Sequence, residues 1–152
     1  MMNCDVLVIG AGPAGSMAAK TVAEAGLDVL LIEKRQEIGE PVRCAEGISL
    51  RSELKKLVDP DPAWISSEIE GARLYSPDGR MISSPGSGGG GYVLERKEFD
   101  RGMALRAAEC GAEVLVKARA IGLCRSEGKV VVSAFCRGEP AKIEARVVIG
   151  AD

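Results

Sequence analysis

The stretch Cys4 to Lys20, CDVLVIGAGPAGSMAAK, decides how the rest of the chain is read. Val6 to Ile9 is a short apolar run of the kind that forms a buried strand, and Ala18, Ala19, Val22, Ala23 and Ala25 recur afterwards at helical spacing. Between them stand Gly10, Gly12 and Gly15, with Pro13 at a first-turn position where a missing N–H is harmless. The order is strand, tight turn, helix. Glycine in such a turn has three separate uses: the first permits the turn, the second lets a pyrophosphate approach the backbone, and the third lets helix and strand pack closely. The first N–H groups of the helix, at the positive end of its dipole, then face the phosphates.

A G-x-G-x-x-G alone is weak, because glycines mark many tight turns, and its meaning comes from context. Gly26 closes the helix, Val29 to Ile32 supplies a second buried strand, and Glu33 ends it. This completes a βαβ unit of about thirty residues. Glu33 stands close to the roughly twenty-residue spacing from which a carboxylate reaches the hydroxyls of an adenosine ribose. A carboxylate there disfavours a 2′-phosphate by repulsion. The bland alternative, a tight turn with a solvated glutamate, lacks a reason for strand, helix and acid to coincide. The turn is read as holding an adenine dinucleotide.

The chain has 152 residues, enough for one domain with a real core, and a net charge of −2 from 20 Lys+Arg and 22 Asp+Glu. That balance gives no bulk attraction to nucleic acid or to an anionic membrane, and nucleic acid is not expected as a partner. No signal-like segment or membrane-spanning apolar window is present, so the expected location is cytoplasmic. The five cysteines, Cys4, Cys44, Cys110, Cys124 and Cys136, are scattered without a C-x-x-C pair, and there is no histidine. Zinc sites of the Cys/His type and Ser-His-Asp or Cys-His catalysis are thereby excluded within these residues, and no metal is expected. Redox chemistry here needs a cofactor.

Beyond Glu33 the sequence punctuates itself with glycine and proline. RQEIGEPVRCAEGISL reads as loop, with a short helix over Arg51 to Leu57. Trp64 reads as packing in a connector. Two short strands flank Ser76-Pro77-Asp78-Gly79, predicting a hairpin within an insertion at about 69–95. The run Ser87 to Gly91 is predicted to be a mobile loop. Phe99, Met103, Ala107 and Cys110 lie on one helical face, and Gly111 stops that helix. The remainder is read as one parallel strand, a three-stranded antiparallel meander, and a separate last strand over Val147 to Ile149. The fold class is α/β, a Rossmann-like parallel sheet crossed by a β-meander.

DVLVIGAGPAGSMAAKTVAEAGLDVLLIEKR resembles the N-terminal FAD signature of the glutathione reductase-like flavoproteins. LERKEFDRGMALRAAECGAEV and the closing RVVIGAD are similar to the branch that holds aromatic-ring hydroxylases and geranylgeranyl reductases. EIGEPVRCAEGIS narrows this further, because it resembles the archaeal lipid-modifying members of the geranylgeranyl reductase family. The resemblance covers essentially all 152 residues but only the FAD-binding portion of such an enzyme, with the substrate portion absent. It implies FAD as cofactor, with Gly10, Gly12, Ala14, Gly15, Glu33, Arg43, Cys44, Ala45, Gly47, Arg96, Ala120 and Asp152 at the cofactor. Arg96 would neutralise phosphate charge, Ala120 would meet adenine through its backbone, and Asp152 would reach the ribityl chain. Cys44 is the candidate proton donor, with loop packing as its alternative, and Arg43 and Arg96 have solvated surface positions as theirs. The implied reaction saturates isoprenoid double bonds of geranylgeranyl membrane-lipid precursors. Its electron donor is open between a ferredoxin-like protein and NAD(P)H, and peripheral membrane contact is assigned to the missing portion. An FAD-dependent aromatic-ring monooxygenase and a non-catalytic dinucleotide-binding module are the alternatives.

Overall fold

The computed structural model of the chain describes all residues except 45, 49, 50, 86–89 and 127. They form two compact units, Met1–Pro41 with Asp100–Asp152, and Val42–Phe99. In the first unit β1 (Met2–Ile9) leads through the glycine turn into α1 (Pro13–Glu24) and β2 (Val29–Ile32). The second unit holds β3 (Gly47–Ile48), α2 (Arg51–Leu57), a 3-10 turn at Pro62–Trp64, β4 (Ile65–Ile69), β5 (Gly71–Tyr75), β6 (Met81–Pro85) and β7 (Gly91–Leu94). Helix α3 (Arg96–Glu109) begins there and returns the chain to the first unit, which continues with β8 (Glu113–Leu115), β9 (Ala118–Ser126), β10 (Lys129–Cys136) and β11 (Glu139–Gly150).

The sheet of the first unit has the order β8-β2-β1-β11-β10-β9. β1 is parallel to β2 and to β11, and β8 is parallel to β2, as βαβ connections require. β9, β10 and β11 run antiparallel. Alternation along β1 sorts its side chains into two cores. Val6 and Val8 join Val29 and Leu31 beneath Ala19 and Ala23 of α1 and Ala107 of α3. Leu7 turns the other way, with Leu30 and Ile32, onto Ala118, Val132, Ala134, Ile143 and Ala145 of the meander. The central parallel strands β1 and β2 are therefore buried on both faces over Val6–Val8 and Val29–Ile32, which explains their unbroken apolar sequence. Leu7, Leu31 and Ile143 have no appreciable exposure, and truncating any one to alanine would cost about 2–5 kcal/mol.

The expected separate last strand is a correction. β11 is one twelve-residue strand, paired antiparallel with β10 from Glu139 to Ala145 and parallel with β1 from Ile143 to Gly150. Nothing between Ala141 and Ile149 breaks a strand, since the only proline lies near its start, at Pro140 opposite Phe135. The meander and the parallel sheet are thus joined through a shared strand.

In the second unit β7 lies between β3 and β4, and β5 pairs with β6 about the predicted turn, where the N–H of Gly79 donates to Ser76 O at 2.9 Å. Trp64 is buried and meets Phe99 edge to face, with 5.2 Å between ring centroids. Ser87 to Gly89 of the expected loop lie outside the described residues. Its last two residues are ordered by pairing and packing: Gly91 opens β7, and Gly90, at φ +69°, sits so close to the Ile69 carbonyl that a Cβ would fall 2.1 Å from its oxygen.

Candidate functional site

The glycine turn is where three chain segments of the first unit converge. The N–H of Gly10 donates to Ile32 O at 2.8 Å, and the N–H of Ala151 donates to Ile9 O at 2.8 Å. Gly10 has φ +102°, and a Cβ there would lie 2.6 Å from Ala151 O and 2.8 Å from Asp152 Cα. Conformation and space both demand glycine. Gly15 meets a different limit, because its Cβ would stand 1.8 Å from Gly10 O. That contact is what allows α1 to approach β1, where Ser16 is fully buried and its hydroxyl donates to Ala11 O at 3.4 Å.

Gly12 is unlike both. It is the N-cap of α1 with φ −73° and ψ −178°, a backbone any residue adopts, and a Cβ would have nothing within 4 Å. Nor does any side chain cap the helix. An N-cap is ordinarily Ser, Thr, Asp or Asn, whose oxygen accepts a first-turn N–H. Here that role is left open, and the space a side chain would fill is left clear. Ala14, one turn position further, is exposed.

Glu33 faces this turn. Its Oε2 accepts the N–H of Ala11 at 3.1 Å and its Oε1 accepts the N–H of Arg35 at 2.9 Å. Its own peptide is held by the end of β8 and the start of β9, with its N–H donating to Leu115 O at 2.9 Å and its carbonyl accepting the N–H of Ala118 at 2.8 Å. A carboxylate has about four acceptor positions. Two remain for hydroxyl donors, such as those of a ribose. An uncapped helix start, an empty cradle at Gly12 and a half-used, fixed carboxylate together fit an adenine dinucleotide, with the phosphates at the turn and the ribose at Glu33.

The other expected residues divide between the two units. Ala120 lies in β9 opposite Ala134, beside the register shift of that ladder, and is half-buried. It is in the second strand after α3. Asp152 is exposed, next to the Ala151 carbonyl that Gly10 accommodates. Arg43, Cys44 and Gly47 are exposed residues of the second unit, and Cys44 is a free thiol. Ala45 lies outside the described residues. Arg96 is the first residue of α3, and its backbone N–H donates to Glu46 Oε1 at 3.5 Å. Glu46, at φ +63°, also accepts the N–H of Leu94 through its carbonyl at 2.9 Å.

Three residues at these positions escaped the sequence reading: Ala11, whose N–H orients the carboxylate, Ala151, which seals the turn, and Glu46. Only Ala11 carried a signal, the need for a small residue between the first two glycines. Among the described residues no group of His, Cys, Asp or Glu is placed to hold a metal ion. Among the described residues no helix is long and apolar enough to cross a membrane.

Residues 5–52 match a family model described as an FAD binding domain. The cofactor of this turn and carboxylate is FAD. The digeranylgeranylglycerophospholipid reductase of Methanothrix thermoacetophila is 59% identical over 155 aligned residues, which take in 99% of this chain and 39% of that protein. Its counterpart in Methanosarcina acetivorans is 56% identical over 97% of the chain and 37% of its own length. A solved structure of a geranylgeranyl bacteriochlorophyll reductase-like protein from Thermoplasma acidophilum superposes with a TM-score of 0.90 at 43% identity, covering 100% of this chain and 40% of the other. The p-nitrophenol 4-monooxygenase of Pseudomonas putida shares the fold, with a TM-score of 0.81 at 14% identity. The chain thus spans about two fifths of the length of the curated relatives it matches.

Proposed function

We propose, from the premise that the chain belongs to the geranylgeranyl reductase family of flavoproteins, that it is the FAD-holding part of a reductase that saturates isoprenoid double bonds of a digeranylgeranylglycerol phospholipid. The observation that carries this reading is 59% identity, over nearly the whole chain, to an enzyme named for that substrate. The glycine turn and Glu33 supply the physical counterpart. Backbone N–H groups of Gly12, Ala14 and Gly15 receive the pyrophosphate, and the free acceptor positions of Glu33 receive the ribose hydroxyls. Asp152 is assigned to the ribityl chain, Ala120 to the adenine, Arg96 to the phosphate charge, and Arg43, Cys44, Ala45 and Gly47 to the flavin side.

Bound FAD supplies hydride transfer to a carbon–carbon double bond, and the protein supplies position. The electron donor is a ferredoxin-like protein or NAD(P)H. The test is a chimera in which these 152 residues replace the matching segment of the Methanothrix enzyme. Reduced chimera is expected to saturate a digeranylgeranylglycerol phospholipid at a rate within about tenfold of the parent. A chimera that binds FAD and reduces no prenyl chain would overturn the substrate assignment, and hydroxylation of an aromatic substrate instead would favour a monooxygenase.

A further inference from the structure

Five cations gather at one corner of the first unit. Lys34 and Arg35 follow β2, Lys117 directly precedes β9, Arg119 is its second residue, and Arg137 stands in the turn from β10 to β11. Backbone bonds hold them together: the N–H of Lys117 donates to Arg35 O at 2.9 Å, and the N–H of Arg137 donates to Lys117 O at 2.7 Å. Lys34, Lys117, Arg119 and Arg137 are exposed and Arg35 is half-buried. Among the described residues no acidic side chain pairs with any of the five. Glu33 is turned to the N–H groups of Ala11 and Arg35, and Glu139 is the acid across the turn.

Two of these cations occupy a backbone that favours glycine. Lys117 has φ +55° and Arg137 has φ +53°; at Arg137 the two-residue hairpin turn with Gly138, between paired Cys136 and Glu139, requires it. The chain as a whole is slightly acidic, so this is a local concentration of positive charge.

We infer that this corner docks the protein on an anionic lipid surface. Exposed apolar side chains interleave with the cations. Phe135, 43% exposed, is the cross-strand neighbour of Arg119, and Ile121, 58% exposed, lies two residues further along β9. β9 is an edge strand of the sheet, and the corner offers an open surface. Cations beside exposed aromatic and aliphatic groups match the headgroup and upper acyl layers of a bilayer. A free phosphate has no use for the apolar groups, and an acidic protein would leave them wet.

The experiment measures sedimentation of the protein with phosphatidylglycerol and with phosphatidylcholine vesicles, for wild type and for the triple variant Lys117→Asn, Arg119→Gln, Arg137→Asn. Asparagine tolerates the left-handed region, so the turns are kept, and circular dichroism melts verify the fold. Wild type is expected to bind the anionic vesicles, to release them as salt rises, and to ignore the neutral ones. The triple variant should lose about fivefold per cation, on the order of a hundredfold in all. A second variant, Ile121→Ser with Phe135→Ser, should weaken vesicle binding while sparing binding to immobilised polyglutamate. Equal sedimentation of wild type and the triple variant overturns the proposal. So does binding to polyglutamate in preference to vesicles, which would identify an acidic protein as the partner. Neither readout involves flavin or turnover, so the result stands apart from the reductase assignment.

Discussion

Gly12 and Gly15 are three positions apart in one turn, and the structure gives them opposite reasons to be glycine. At Gly15 a Cβ would overlap a carbonyl of the same fold, 1.8 Å away, so Gly15→Ala is expected to destabilise the protein by the upper part of the 1–3 kcal/mol typical of overpacking, or about 3 kcal/mol. At Gly12 a Cβ would meet nothing, and the loss should stay below about 1 kcal/mol, the scale of an N-cap exchange. FAD affinity should nevertheless fall at Gly12. Thermal melts and flavin titration on both variants separate the two roles. A Gly12→Ala protein that binds FAD normally would show that the cradle is not where the pyrophosphate lies. Glu33 combines both roles in one side chain. Glu33→Gln replaces one acceptor oxygen with a donor that faces the N–H of Ala11 or Arg35. The expected loss is about 1–3 kcal/mol of stability, with weaker FAD binding beside it. Unchanged stability in urea unfolding would mean that the carboxylate does not brace the turn. The sequence showed that an acid was needed at this position, but the acid's partners at the turn are backbone groups, which no residue pattern records.

Periodicity made the elements legible to the extent that each had a breaker at its end. Gly26 and Gly111, both at positive φ, ended α1 and α3 where glycine can adopt a backbone other residues avoid. β11 lacks such a mark between its antiparallel and parallel halves, so its continuity depends on which strands it pairs with. Midway along β1, where its pairing with β2 begins, Asp5 fastens β1 to the start of β2. Its carboxylate accepts the N–H of Asp28 at 3.1 Å and faces Arg146 Nη1 at 3.3 Å. The Asp28 N–H, then Arg146, lower the Asp5 pKa below its ordinary 3.8. A carboxylate with a depressed folded pKa contributes stability above its unfolded value, and that contribution disappears as pH falls through the folded one. Asp5→Asn should therefore lower the melting temperature at pH 7, and the gap to wild type should close as pH is taken below 3.8. A gap that is constant from pH 7 down to pH 3 would show that charge at Asp5 is irrelevant.

At the scale of the molecule, a net charge of −2 conceals the cationic corner, because a sum carries no positions. The two-unit division was equally hidden, since the second unit begins and ends inside segments that read as loop and as one continuous helix. That division bears on how much of FAD this chain alone can hold. Gly10, Gly12, Ala14, Gly15 and Glu33, the turn and carboxylate assigned to the pyrophosphate and the ribose, belong to the first unit. Arg43, Cys44 and Gly47, assigned to the flavin side, belong to the second, as does Arg96, assigned to the phosphate charge, and the chain covers 39% of the length of its Methanothrix relative. If the adenosine half supplies most of the binding energy here, ADP should compete with FAD for the 152-residue chain with a Kd within about tenfold, roughly 1.4 kcal/mol. The same competition on the whole Methanothrix enzyme should favour FAD far more strongly, and the chain alone should saturate no prenyl lipid. Displacement of FAD by ADP, followed by flavin fluorescence, measures this directly. A chain that prefers FAD over ADP by a hundredfold or more would show that the flavin ring is already gripped within these residues, and would direct attention to Arg43, Cys44 and Gly47 as the groups that grip it.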